Sequence, residues 1–322
     1  MSSTTRTTRT TRTTRTARSL RTLRAGAVVA GLALALTACS ADADDAGDAG
    51  DTATTDEATE QTDPVVIGVV GASEDHWRIF AEKAEEAGIP VEIVDFTEYT
   101  LPNLALSEGE LDLNQFQHIL YLAQYNVEAG DDLVPIGATA VYPLGLYSRQ
   151  YESVDDIPEG AEIAVPNDPT NLARALLVLQ DAGLIALRDG GSAFSTEADV
   201  IADESRVTVT PVDAQQTALA LDSVAASIIN NDFLADAGID PESVLYADDA
   251  GSDAARPYIN IWAARAEDAD NPLYAQLVEI YEDDEVQAAL QEASGGTAVL
   301  ADQTPAELQE ILAEVEDDAR NR

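Results

Sequence analysis

The chain has 322 residues with 60 acids, 17 bases and two histidines, a formal net charge of −43, and 45% of it is hydrophobic. That charge excludes nucleic-acid binding through the phosphate backbone, which such a surface repels. The single cysteine excludes an internal disulfide and a cysteine-rich metal site.

The N-terminus comes first. Seven arginines recur at every third position from Arg6 to Arg24 with no acid among them, and an apolar run follows from Ala25 to Ala38. This run is too short for a bilayer, which takes about 20 helical residues. A basic stretch, a short apolar stretch and small residues before a cut predict a secretory signal peptide over residues 1–38. The segment LTAC, Leu36–Cys39, resembles a bacterial lipobox, whose cysteine is diacylated and begins the mature chain. Cys39 therefore predicts a lipid anchor that holds the protein on the extracytoplasmic face of the cell membrane. Residues 39–63 contain many acids and no large apolar residue, so they predict a disordered acidic tether. From Cys39 onward 60 acids face 10 bases, a net charge of −50, and Lys83 is the only lysine. Such an exterior suits a solvated surface in a salty medium, where repulsion is screened. No D-x-[DN]-x-[DN]-G-x₅-E calcium loop is present.

The folded part begins near Pro64. VVIGVVGAS is a continuous apolar run that predicts a buried parallel strand entering a helix, HWRIFAEKAEEAG, which Gly88 closes. IPVEIVDF predicts a second strand. LPNLALSEGELDLNQFQ predicts a helix stopping near Gly109 and then a short strand with Asn114, Phe116 and His118 on one face. ILYLAQYNVEAG predicts a helix, and LVPIGATAVYPLGLYS a long apolar strand. AEIAVPND is a strand that leads into NDPTNLARALLVLQDAG, a helix with Asn167 or Asp168 as cap, Pro169 at its start and Gly183 at its exit. RVTVTPVD predicts a strand, AQQTALALDSVAASIINNDF a helix, a strand and a turn, and RPYINIWAARAED a strand; from Pro272 on the pattern is helical. The alternation argues for α/β with parallel sheets. Two such units predict two lobes, 64–145 plus 256–322 and 146–255, with a ligand cleft between them.

Catalytic signatures are sparse. G-x-S-x-G, H-E-x-x-H and P-loop patterns are absent, and the glycines of GVVGAS lack the third member of a dinucleotide motif. With 60 acids, adjacent carboxylates carry no information. Arg174, alone in an apolar helix three residues after Asn171, fits either an ion pair between two elements or a clamp for an external anion. Aromatic residues are only 5% of the chain, yet Tyr99, Phe116, Tyr121, Tyr125 and Tyr142 fall close together. On its own such a group is more often core than ligand cage, and His118 is more often a satisfied core histidine than part of a cage.

The segments FTEYTLPNLALSEGELDLNQFQHILYL, VYPLGLYS, VPNDPTNLARALLVLQDAGLI and SIINNDF resemble the NlpA lipoprotein family, the methionine-binding lipoproteins of ABC importers. The resemblance runs from Val65 to the C-terminus. It implies a two-lobe periplasmic-binding-protein fold of type II, the cherry-core class. It also implies a ligand that is methionine, its D-isomer or a short methionine peptide, delivered to an ABC permease and ATPase complex without cofactor or catalysis. By resemblance, Arg174 holds the ligand carboxylate, with Asn171 one turn earlier on the same face. Asn230 meets the amino-acid head group. Tyr99, Phe116, His118 and Tyr121 form an aromatic pocket for the thioether, to which Tyr142 is also carried over. No counter-charge for a charged ligand side chain is expected in that lining. Two departures stand out: Leu120 replaces a proline of the family's F-Q-H-x-P-Y pattern, and Asp232 places an acid beside the expected ammonium. An exported enzyme or an adhesion lipoprotein on the same scaffold is the alternative.

Overall fold

The computed structural model describes residues 63–321. The signal peptide, Cys39 and almost all of the predicted tether lie outside the described residues. The chain order is β1 (Val65–Val69), α1 (Asp75–Glu86), β2 (Val91–Asp95), α2 (Pro102–Ser107), β3 (Leu113–His118), α3 (Ile119–Ala129), β4 (Val134–Ala138), β5 (Ala140–Val141) and β6 (Gly145–Tyr147). Next come β7 (Glu162–Pro166), α4 (Pro169–Asp181), β8 (Thr208–Val212), α5 (Thr217–Ala220), β9 (Ala226–Ile229) and β10 (Tyr246–Ala247). The chain ends with β11 (Asn260–Ala264), α6 (Pro272–Tyr281), α7 (Asp284–Ala293), β12 (Val299–Leu300) and α8 (Pro305–Arg320).

Two five-stranded sheets form, β2-β1-β3-β11-β4 and β10-β6-β9-β7-β8. They are mixed, not parallel as expected. β1 runs parallel to β2 and β3, but β11 is antiparallel to both β3 and β4. In the second sheet β7 is parallel to β8 and β9, while β6 is antiparallel to β9 and β10. The antiparallel strands are those where the chain changes sheet, which helix–strand alternation does not reveal. These sheets are the centres of the two lobes.

The long apolar strand expected over residues 133–148 is three strands in three sheets. β4 closes the first sheet, β5 pairs with β12 in a separate two-stranded sheet, and β6 lies in the second. The whole segment stays apolar because it passes from one core to the other, so its hydropathy shows no break. β12 also interrupts the stretch after Pro272 that was expected to be wholly helical.

In the first lobe Ile67 of β1 is paired in register with Leu113 of β3, and both are fully buried beneath α1 and α6. Trp77, Phe80, Trp262 and Tyr281 fill the same layer with ring centroids 5.3–6.0 Å apart. Each such buried side chain contributes roughly 1.5–3 kcal/mol relative to exposure. Leu146, Ile163, Leu176 and Ile228 anchor the second core.

β3 carries a bulge that changes the predicted face pattern. Its partner β11 pairs Ile261 with Gln117 and Trp262 with Gln115, so Phe116 is skipped. The extra residue resets the alternation. Asn114 consequently shares a side with Gln117, bonding it at 3.0 Å, and both bond Asn103. Asn114 is therefore part of a buried amide network and not on one face with Phe116 and His118, while Phe116 is freed to join the aromatic group.

Candidate functional site

A cavity lies where the lobes meet. The first lobe contributes Tyr99, Phe116, His118 and Tyr121, and the second Asn171, Arg174, Asn230 and Asp232. The crossover between β5 and β6 adds Tyr142 and Pro143, and the start of β11 adds Asn260. All eight residues expected to bind a ligand line this one cavity.

Local chemistry holds each in place. Asp168, not Asn167, caps α4: its Oδ1 accepts the Asn171 amide at 2.9 Å and the Asn171 side-chain Nδ2 at 3.0 Å. Asn167 instead bonds Asp213. With its Nδ2 oriented, Asn171 presents Oδ1 to Asn230 Nδ2 at 3.1 Å and to His118 Nε2 at 3.3 Å. His118 caps α3, its Nδ1 accepting the Tyr121 amide, so Nε2 carries the hydrogen and donates to Asn171. Burial, helped by the nearby Arg174 charge, lowers the His118 pKa to about 3, and the ring is neutral at pH 7. Asn171 thus has both ends of its amide engaged by protein groups. Asn230 differs, because its buried Oδ1 has no hydrogen-bond partner among the described residues.

Tyr99 stands at the centre of the aromatic group. Its ring lies 5.8 Å from Phe116, 6.0 Å from Tyr121 and 5.1 Å from Phe233 of the other lobe. Tyr121 Oη donates to the Tyr99 carbonyl at 3.0 Å, which fixes the spacing of the two rings. Leu120, at the proline position, is buried in the core of the first lobe while Tyr121 faces the cavity.

Arg174 is 5% exposed and lies in this wall, yet it also has an internal partner. Its Nε meets Asp248 Oδ2 at 2.6 Å and its Nη2 meets Asp248 Oδ1 at 3.1 Å, a two-point carboxylate pair. Nη2 also donates to the Tyr142 carbonyl at 2.8 Å, and the guanidinium lies 4.2 Å from the centre of the Tyr258 ring. Asp248 in turn accepts the Leu144 amide, tying α4 to the start of β6. Both sequence readings of this arginine, ion pair and cavity residue, thus describe one side chain. Only Nη1 is without a hydrogen bond among the described residues.

The lining also departs from expectation in charge. Asp232 faces the cavity and accepts Tyr99 Oη from the opposite lobe at 2.6 Å. Burial raises its pKa to about 6. Beside it, Glu74 of the first lobe is raised to about 8 by burial first, then by Asp232 and Asp236. Ser73 Oγ completes the lobe crossing by donating to Asp236 at 3.1 Å. Sequence reasoning missed Asp248, Tyr258 and Glu74. Asp248 and Glu74 had no signal among so many acids, whereas the aromatic Tyr258 just before a strand was a cue that could have been followed.

Among the described residues no group of histidine, cysteine, aspartate and glutamate could hold a metal ion, and no helix is long and apolar enough to cross a membrane. Two α/β lobes around a polar and aromatic cavity at their junction define a two-lobe binding protein. The chain belongs to the NlpA lipoprotein family, whose profile matches residues 65–301. It is 37% identical over 240 residues to the D-methionine-binding lipoprotein MetQ of Salmonella typhi, an alignment covering 73% of this chain and 87% of that one. Among solved structures, protein PG110 from Staphylococcus aureus matches with a TM-score of 0.74 at 38% identity, covering 78% of this chain and 99% of that one. The substrate-binding protein of a methionine transporter from Streptococcus pneumoniae matches with a TM-score of 0.69 at 36% identity, over 74% and 95% of the two chains.

Proposed function

We propose that this protein is the substrate-binding lipoprotein of an ABC importer and that it takes methionine, as the L- or D-isomer or within a short peptide. The observation that carries the reading is the junction cavity, which combines a guanidinium, an amide acceptor without a partner and an aromatic cage. Relatives named for methionine binding support the choice of ligand. In this reading the free Nη1 of Arg174 meets the ligand carboxylate, and Asn230 Oδ1 accepts from its ammonium. Tyr99, Phe116, Tyr121 and Tyr142 enclose the thioether, where sulfur sits well against ring edges. His118 and Asn171 orient Asn230. The lobes divide near residues 145 and 256, Cys39 carries the lipid, and a permease with its ATPase receives the ligand. The protein itself makes or breaks no bond in the ligand.

Calorimetric titration of the purified protein with L-Met, D-Met, Gly-Met and norleucine tests this. Saturable binding of at least one methionine form, tighter than norleucine, is the expected result. No heat with any methionine compound, together with tight binding of glutamate, would sink it. Cys39→Ala should release the protein from membranes.

A further inference from the structure

We propose that Asp232 makes this cavity select ligands that carry a free α-ammonium and reject those whose amino nitrogen is acylated. The inference rests on the amino-acid reading above and assigns to Asp232 a specificity role of its own.

Asp232 lies two residues after Asn230, in the turn that follows β9, and both line the cavity. Its Oδ2 is engaged by Tyr99 Oη, while Oδ1 has no hydrogen-bond partner among the described residues. No base pairs with it there, and the neighbouring acid, Glu74, supplies no counter-charge. Arg174 is no substitute, because its charge is already matched by Asp248 at two points. A half-buried carboxylate without a counter-charge favours any partner that supplies one. The Asn230 Oδ1 is a second acceptor in need of a donor within the same cavity.

A primary ammonium has three N–H donors and a positive charge, so one group satisfies both acceptors. An acylated nitrogen is neutral and keeps one N–H. It also adds a carbonyl oxygen that must face acceptors in a wall containing Asp232. The same wall thereby attracts one ligand and penalises its blocked analogue, and unpaired buried acceptors discriminate strongly in such cases.

The test is titration of the purified protein and its Asp232→Asn variant with L-methionine, N-acetyl-L-methionine, L-norleucine, N-acetyl-L-norleucine and L-lysine. The wild type should prefer each free amino acid over its acetylated form by about 100-fold or more, with lysine bound poorly. Asp232→Asn keeps the shape and removes the charge. It should bind L-methionine at least about 30-fold more weakly, with N-acetyl-L-methionine changed less than about threefold. The inference is overturned if the variant binds L-methionine within about threefold of wild type, or if wild type takes N-acetyl-L-methionine within about tenfold of L-methionine. Preference for lysine would place the acid against a side-chain ammonium and overturn it as well. Wild type that ignores methionine, takes norleucine and rejects acetyl-norleucine overturns the methionine reading and upholds the role of Asp232. Binding of none of these compounds overturns both.

Discussion

Arg174 and Asp232 are both charged residues in the wall of one cavity, and the protein treats them oppositely. The guanidinium has a bidentate carboxylate, a backbone carbonyl and an aromatic face around it. The carboxylate has one phenol and sits beside another acid. A buried charge paired with a carboxylate inside the protein is part of the scaffold: it holds α4 against the crossover whether or not a ligand comes. A poorly partnered one is sensitive to protons, ligands and lobe position. The cationic side should therefore respond to mutation in both stability and binding, and the acidic side in binding and pH dependence.

The largest effect is expected at Arg174. Arg174→Ala leaves Asp248 without its partner, which costs about 3 kcal/mol, a drop of roughly 6–12 °C in melting temperature for a domain of this size. It should also reduce methionine affinity at least about 30-fold. The double variant Arg174→Met/Asp248→Leu separates the two roles, because an apolar pair of similar volume commonly restores stability. Its melting temperature should return to near that of wild type while binding stays lost. Binding of the double variant within about threefold of wild type would reduce Arg174 to a structural residue and end the contrast.

A smaller, pH-dependent effect is expected at Glu74. Its folded pKa of about 8 lies above the ordinary 4.5, so the folded state holds a proton that the unfolded chain releases. That contribution is complete below pH 4.5 and is lost as pH rises through 8. His76 and His118, lowered from 6.5 to about 4 and about 3 by burial, act in the other direction. Their contribution is complete above pH 6.5 and declines as pH falls toward 4. Glu74→Gln should remove only the alkaline limb. The variant should melt higher than wild type at pH 8, by about 2–4 °C for each kcal/mol recovered, and equally at pH 4.5. Parallel melting curves for the two proteins across pH 4.5–8 would show that the folded state does not hold a proton on Glu74.

The smallest effect is expected at the helix cap. Asp168→Ala removes the α4 N-cap at a cost of about 1 kcal/mol. It also frees the Asn171 amide that orients Asn230 and His118. Thermal melting should fall slightly and methionine affinity by about three- to tenfold, the range of one neutral hydrogen bond. Unchanged affinity would mean that Asn230 needs no orientation from Asn171.

Much of this protein is local in origin. Alternating strand and helix periods, the Asp168–Pro169 start of α4 and its exit at Gly183, whose φ is +71°, are properties of a few neighbouring residues. Eight residues of the cavity were legible through the family resemblance, because the motifs that carry it are short and specific. The topology was less so: a segment that leaves one core for another never turns polar, so β4, β5 and β6 read as one strand. Charge pairing was not legible at all. Arg174 and Asp248 are 74 residues apart, and Tyr99 and Asp232 are 133 apart. Any of 60 acids could have met either position. Periodicity and capping act over one turn and are written in sequence, whereas the partner of a buried charge depends on which distant strand ends the two lobes bring together, and only the tertiary structure decides that.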